Sequence, residues 1–445
     1  MNDTICAVST SLGVGAISII RLTGDKAIEI ANSIFSSDIR QVETHRIIYG
    51  KIIEENEILD EVLMMIMRAP RTYTKEDVVE INCHGGYSTT NKVLELLLAK
   101  GCRLAEPGEF TKRAFLNGRI NLLEAEAVNE LINANSDSKR RLSLNQMGGH
   151  LTNKIKEIRE ELISLMANIE VNIDYPEYTD NLVITENLLN DRLNKISKML
   201  KKLVDGAKCG QIVANGINVA IIGKPNVGKS SILNHLLDEE KAIVTSVAGT
   251  TRDTVEGVMS LNGIEVKFID TAGIHDTDDI VEKIGVEKSK KALANADAVI
   301  LVLDGSNDLE DEDKKLLELV RNRGIIFVNK NDQNIKLDIN LDNVIYGNTK
   351  SDNGLDSLKE ALVKYFNINE INKDLTYLSN ARQIDLVNKA DKCLENALIS
   401  LNNNIPIDMI ESDLKACFNY LGEIIGDTYE GAVIDRLFRD FCVGK

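Results

Sequence analysis

The stretch that most constrains this chain is Gly223-Lys224-Pro225-Asn226-Val227-Gly228-Lys229-Ser230. An apolar-rich run over residues 218–222 leads directly into it, and a helix-forming run over residues 231–237 follows. This is GxxxxGKS in the strand–loop–helix setting that the motif requires. Its glycines let backbone N–H groups curl round phosphates that sit at a helix N-terminus. Asn226, Val227, Gly228, Lys229, Ser230 and Ser231 are therefore nucleotide-binding candidates. Lys229 is placed for the β- and γ-phosphates, and the Ser230 hydroxyl for Mg²⁺.

Further elements follow in the order such a domain needs. Gly249-Thr250-Thr251-Arg252-Asp253 occupies the place of a first switch, with Thr251 completing a magnesium shell in the GTP state, and Thr245, Ser246, Val247 and Ala248 just before it are further nucleotide-binding candidates. Val266 to Ile269 leads into Asp270-Thr271-Ala272-Gly273, where Asp270 lies near the magnesium shell and the Gly273 N–H can sense the γ-phosphate. Ile325 to Val328 leads into Asn329-Lys330-Asn331-Asp332, the NKxD element. An aspartate such as Asp332 accepts two hydrogen bonds from guanine N1–H and its 2-amino group. Adenine cannot supply that pair, so the motif specifies GTP over ATP. Asn348-Thr349-Lys350 stands where this superfamily often has Ser-Ala-Lys. In Ras-type proteins a glutamine after the DTAG element orients the attacking water. Ile274 stands there instead and cannot do so, which directs attention to Glu282 in the second-switch region. Arg252 joins Glu282 as a catalytic candidate.

Length and patterning bound the rest. At about 150 residues per domain, 445 residues suggest roughly three domains. Residues 1–118 read as α+β, with strands at 16–20, 46–53, 58–67 and 78–83 and a helix at 89–99. The polar Glu54-Glu55-Asn56-Glu57 separates two of those strands as in a hairpin. From 119 to 210 the apolar period becomes helical, and residues 373–445 return to it with an interruption near Pro406. The last segment is too short to bury much core alone. The expected architecture is a multidomain α/β chain with three parts. An α+β N-terminal domain (1–118) precedes a helical domain formed by two segments (119–210 and 373–445). A P-loop GTPase domain (211–372), a parallel sheet flanked by helices, is inserted between those segments.

Net charge is −17, which excludes a general basic surface for nucleic acid and leaves only local patches, such as Lys139-Arg140-Arg141 or the lysines over 195–208. Seven scattered cysteines with no CxxC pair argue against a disulfide framework or zinc ribbon. Neither a signal peptide nor a ~20-residue apolar span is present in the sequence, so a cytoplasmic protein without a membrane segment is expected.

Outside the nucleotide motifs stand Cys83-His84-Gly85-Gly86, the run Pro107-Gly108-Glu109-Phe110-Thr111-Lys112-Arg113-Ala114-Phe115-Leu116-Asn117-Gly118, and Phe441-Cys442-Val443-Gly444-Lys445. With these marks the whole chain resembles the MnmE (TrmE) tRNA-modification GTPases. The resemblance implies an N-terminal domain that binds a tetrahydrofolate and forms a homodimer. The folate would be 5-formyl- or methylene-tetrahydrofolate, with Arg21, Glu80, Arg119 and Lys445 at the matching positions. It implies a potassium-stimulated GTPase in which Asn226, Thr245, Val247 and Thr250 hold the potassium ion, where other GTPases place an arginine finger worth about 10³–10⁵ in rate. Glu282 matches the family's water-orienting glutamate, and Cys442 its essential thiol. The family works with MnmG, an FAD protein, in a heterotetramer-like complex. Together they install an aminomethyl-type group on C5 of the wobble uridine of certain tRNAs. Two other readings stay open on the sequence: a ribosome-assembly GTPase of the Era or Der type, and a folate-binding module that uses GTP only to change shape.

Overall fold

Alternation of buried and exposed residues builds the first sheet, and continuous burial builds the second. The computed structural model describes residues 3–11, 13–174, 186–239, 255–269, 296–320, 324–333, 335–337, 344–351, 354–403, 405–427, 431–439 and 441–444. They divide into two units, Met1–Ile132 with Met147–Asn181 and Asn403–Lys445, and Asn133–Gln146 with Leu182–Asn402.

The first unit holds strands β1 (Ile5–Val8), β2 (Ile17–Thr23), β3 (Arg46–Glu54), β4 (Glu57–Met67), β5 (Val78–His84) and β6 (Arg103–Leu104) in the order β3-β4-β5-β2-β1-β6. The expected hairpin forms where Glu54 pairs with Glu57 and Ile53 with Ile58. One face is apolar and meets the helices Ala27–Ser33 and Tyr87–Ala99 through Ile28, Ile34, Val93 and Leu97 against Ile20, Leu22, Met64 and Ile81. Period-two alternation therefore sends Arg21 and Glu80 to the other face, where the antiparallel register sets them side by side. Helices complete the unit. His150–Asp174 buries Ile155, Ile158, Leu162, Leu165 and Ile169 and packs against Ile407–Ile425, which begins directly after Pro406.

The second unit holds β7 (Ile217–Ile222), β8 (Val255–Leu261), β9 (Ile264–Ile269), β10 (Ala298–Asp304), β11 (Gly324–Asn329) and β12 (Val344–Tyr346) in the order β12-β11-β10-β7-β9-β8. Every neighbouring pair is parallel except β8 with β9. Parallel strands covered on both faces read as nearly unbroken apolar runs. Accordingly Ile300, Val302, Ile325 and Phe327 join one core, with Ile232, Leu236, Leu358 and Leu362. Val299, Leu301, Leu303, Ile326 and Val328 join another, with Val320. In this unit the helix Ala381–Asn402 packs on Glu186–Asn215. In each unit, then, a helix from beyond residue 373 lies on one from before residue 216. Among the described residues no helix is long and apolar enough to cross a membrane.

The 107–118 run serves structure. Its helix Glu109–Leu116 buries Arg113, which is 1% exposed. The Arg113 guanidinium donates to Asp3 Oδ1 at 2.7 Å, Glu109 Oε1 at 3.1 Å and Glu76 Oε2 at 3.2 Å. Arg103 adds bonds to Glu109 Oε1 at 2.5 Å and to Asp3 Oδ2 at 2.6 Å. Burial works to raise the Glu109 carboxyl, but hydrogen bonds from Arg103, the Glu106 N–H and Arg113 outweigh it and hold the group below its ordinary value. Asp3 is lowered in the same way, burial being opposed by Arg103 and Arg113. A buried charge that loses its partners is costly. Arg113→Leu is expected to destabilise this unit by about 3–5 kcal/mol, measured by urea denaturation. The two carboxylates are depressed in the folded state. Their contribution is therefore complete above the unfolded value near 4 and fades as pH falls through the lower folded values. Wild-type stability should drop below about pH 4, and the drop should shrink in Arg113→Leu.

Candidate functional site

β7 ends at Ile222, β10 at Asp304 and β11 at Asn329, so parallel pairing brings three carboxyl ends to one rim of the second sheet. That rim is where open α/β sheets bind ligands. The phosphate loop leaves β7 there and enters the helix Lys229–Glu239. The Lys229 ammonium donates to the carbonyls of Gly223 and Lys224, each at 2.7 Å, and so lies curled inside the loop. Burial lowers its pKa below the ordinary value, with Glu312 opposing. Ser230 and Ser231 are exposed at the start of the eleven-residue helix, beside the N–H groups left unpaired by helix geometry. Asn226 has φ +64° and an exposed side chain.

Asn329 and Lys330 stitch the NKxD loop to this loop. Asn329 is 2% exposed and donates from Nδ2 to the Val227 carbonyl at 2.8 Å. The approach is so close that a Cβ on Gly228 would lie 2.3 Å from that Nδ2, so only glycine fits there. Lys330 Nζ donates to Asp304 Oδ2 at 2.5 Å and to the Asn226 carbonyl at 3.3 Å. Asp332 Oδ2 pairs with Lys350 Nζ at 2.6 Å, and that hydrogen bond lowers the carboxyl pKa. Asn348 turns inward: its Oδ1 accepts from the N–H groups of Lys350 and Ser351, both at 3.0 Å, and its Nδ2 donates to Asn331 Oδ1 at 2.7 Å. Asn348 thus braces the turn that carries Lys350 to Asp332.

The first unit gathers a second set of residues. Arg21 donates from Nε to Glu80 Oε1 at 2.8 Å and from Nη1 to the Gly444 carbonyl at 3.0 Å. Its guanidinium also lies 5.7 Å from the centre of the Phe110 ring. Tyr73 packs on the cluster containing Phe110, bonds Thr111 Oγ1 at 2.9 Å, and carries the Arg119 guanidinium 4.6 Å from its ring centre. Arg21, paired with Glu80, thus lies by the Phe110 ring, and Arg119 by the Tyr73 ring. The tail is pinned beside them. Ser9 Oγ donates to the Gly444 carbonyl at 3.1 Å, and the Gly108 N–H to the Cys442 carbonyl at 3.1 Å. Gly108 has φ +68°, and a Cβ there would meet Phe438 O and Phe441 at 2.7 Å. Of the seven cysteines, Cys442 is the exposed one. Cys83, by contrast, is pushed up to about 12 by burial, then by Asp60.

Several sequence candidates lie outside the described residues: Thr245, Ser246, Val247, Ala248, Gly249, Thr250, Thr251, Arg252, Asp270, Thr271, Ala272, Gly273, Glu282 and Lys445. The sequence reading passed over Asp304, Ser9 and the bracing role of Asn348. Asp304 had a signal, since Asp304-Gly305 ends an apolar run at the same kind of strand end as the known motifs. Ser9 had none, because its partner is 435 residues away.

A parallel sheet whose strand ends carry a GKS loop and an NKxD loop, stitched by Asn329, defines a P-loop GTPase. Two family models match this chain: "GTP-binding protein TrmE N-terminus" over residues 4–119 and "MnmE helical domain" over residues 122–442. The tRNA modification GTPase MnmE of Enterococcus faecalis is 47% identical over 457 residues, covering 100% of this chain and 98% of the relative. That of Streptococcus thermophilus is 49% identical over 449 residues, with 100% and 98% covered. The chain belongs to the MnmE family of tRNA modification GTPases, and GTP hydrolysis is its reaction.

Base choice is expected to rest on Asp332. A site built for paired hydrogen bonds rejects a base lacking them by roughly 10⁴-fold or more. Asp332→Asn should therefore lose GTP and gain xanthosine triphosphate, as read by competitive binding of the two nucleotides.

Proposed function

We propose that this chain is a potassium-stimulated GTPase of the cytoplasm. In this reading it works with the FAD protein MnmG to place an aminomethyl-type group on C5 of the wobble uridine of certain tRNAs. Its one-carbon donor is a tetrahydrofolate derivative, 5-formyl- or methylene-tetrahydrofolate. The observation that carries this reading is the docking of the tail: the Gly444 carbonyl accepts from Arg21, the Cys442 carbonyl accepts from the Gly108 N–H, and the Cys442 side chain is exposed. That docking supports a thiol delivered from the tail toward the candidate folate set of the N-terminal strands. The proposed organisation remains 1–118 for folate and dimerisation, 119–210 with 373–445 as the helical domain, and 211–372 for GTP.

The residues present fit these groups chemically. The partly exposed Tyr73 ring beneath Arg119 suits a flat heterocycle, the Arg21 and Arg119 guanidinium groups suit its anionic tail, and Glu80 suits its N–H donors. Lys445 would add a cation. Ser230, exposed on the first helical turn, would hold magnesium with Thr251, and the ion neutralises charge on the phosphates. Asn226, with Thr245, Val247 and Thr250, would hold potassium, whose charge stands in for an arginine finger. Lys229 would turn from the Gly223 and Lys224 carbonyls to the phosphates. Glu282 would orient the attacking water, a task Ile274 cannot perform, with Arg252 in the adjoining switch.

Hydrolysis should run faster in potassium than in sodium at matched ionic strength, and Asn226→Ala should erase the difference. Equal rates in the two salts for the wild type would remove the potassium proposal. Cys442→Ser should leave folate binding and GTP turnover near wild type while abolishing modification of the wobble uridine, read by nucleoside mass spectrometry after incubation with the flavin partner. Retained modification would show the thiol to be dispensable. Loss of both activities would assign it to folding.

A further inference from the structure

Lys330 bridges the two halves of the nucleotide site. Its backbone sits at φ +65°, between the buried Asn329 and the base-reading Asp332. Its ammonium reaches Asp304 Oδ2 at 2.5 Å and the Asn226 carbonyl at 3.3 Å. The aliphatic stem must therefore run from the base-reading loop to the phosphate loop. On that path the stem would offer an apolar surface beside Asp332. Lysine stems serve this way when the charged head is satisfied elsewhere.

Asp304 is built to receive that head. It ends β10, and its side chain is 13% exposed. Its Oδ1 accepts from the Ser306 N–H at 3.0 Å and the Ser306 hydroxyl at 2.6 Å, which leaves Oδ2 for Lys330, with Asn307 Nδ2 at 3.2 Å. The next residue closes the same corner, since the Gly305 N–H donates to the Asn329 carbonyl at 2.9 Å. Burial raises the Asp304 carboxyl, but bonds from Lys330 and Ser306 outweigh it and keep the group ionised.

We propose that Asp304 is a positioning residue for guanine-nucleotide binding. It anchors the Lys330 ammonium so that the lysine stem stands as a wall of the base pocket before nucleotide arrives. A free lysine side chain loses much rotamer freedom when it is ordered, and an anchored one has already lost it. The effect falls on affinity. It acts equally on GDP and GTP, because the anchor lies on the base side and makes no contact that depends on the γ-phosphate.

The test is a double-mutant cycle in the full-length protein, with Asp304→Asn, Lys330→Met and both together. Dissociation of a fluorescent GDP analogue and the kcat and KM of GTP hydrolysis are measured for each. Asp304→Asn should speed GDP release and raise KM by about tenfold, the scale of one charge-assisted hydrogen bond, with kcat unchanged within about twofold. In the Lys330→Met background the same change should add less than about twofold. Ser306→Ala, which removes a different partner of Asp304, should alter affinity less than about twofold. An equal loss with or without the lysine, or the same loss from Ser306→Ala, would make Asp304 a brace of its turn and overturn the proposal. Unchanged affinity, or a fall in kcat at constant KM, would overturn it too. Should Asp304→Asn lower the nucleotide-free melting temperature, a matched stability control decides between the readings. Ser306→Ala with the same melting loss but normal GDP release would uphold the anchoring role, and equally fast GDP release would end it.

Discussion

The parallel register of β7, β10 and β11 is the constraint on which the nucleotide site depends. Residues remote in sequence, such as Ile222, Asp304 and Asn329, end their strands on one rim only because Ile300 pairs with Ile221 on one side and Ile325 on the other. Burial on both faces holds that register. A slip of one residue would exchange the side chains shared between the two cores of this sheet and expose neither favourably. Once the strand ends are level, short-range bonds complete the site. Asn329 closes on Val227, Gly305 on Asn329, and Lys330 on Asp304.

In the first unit the corresponding constraint is electrostatic. Arg113 is buried with Asp3, Glu76 and Glu109 around it, so the helix Glu109–Leu116 is held against the sheet by groups that tolerate little displacement. The same helix begins at Gly108, whose N–H receives the tail, and it carries Phe110 under Arg21. The 107–118 run thus supplies the backbone N–H that holds the Cys442 carbonyl.

Much of this was legible locally. The GKS loop and the NKxD loop announce themselves because contiguous residues must contact one ligand, and contiguous residues are what a motif records. The strands before them were legible because each is apolar and ends in a motif. The hairpin at Glu54 and the helices before residue 210 were legible from period alone. The strand end at Asp304-Gly305 was legible in the same way, but its partner was not: Lys330 lies 26 residues away, and no spacing rule connects a carboxylate to such a partner. β1 and β6 escaped because a four-residue and a two-residue strand carry too little periodicity to be read, and their pairing joins Ile5 to Arg103.

The sequence by itself determined the class of chemistry: a phosphate loop, an NKxD loop and the absence of a Ras-type glutamine are properties of short segments, set by what peptide N–H groups, carboxylates and hydroxyls can bind. It also determined family membership, since the motifs run the length of the chain. Only the tertiary structure decided which ionic groups are sealed inside to hold the fold and which keep a partial opening to solvent. Arg113 and Arg21 are the same residue type, yet one is sealed among three carboxylates and the other shares its guanidinium between Glu80 and the carbonyl of Gly444. The physical reason is that a hydrogen bond has no preference for sequence distance. Its partner is whatever acceptor the packed core leaves within about 3 Å, and that is known only after the strands and helices have buried their apolar faces.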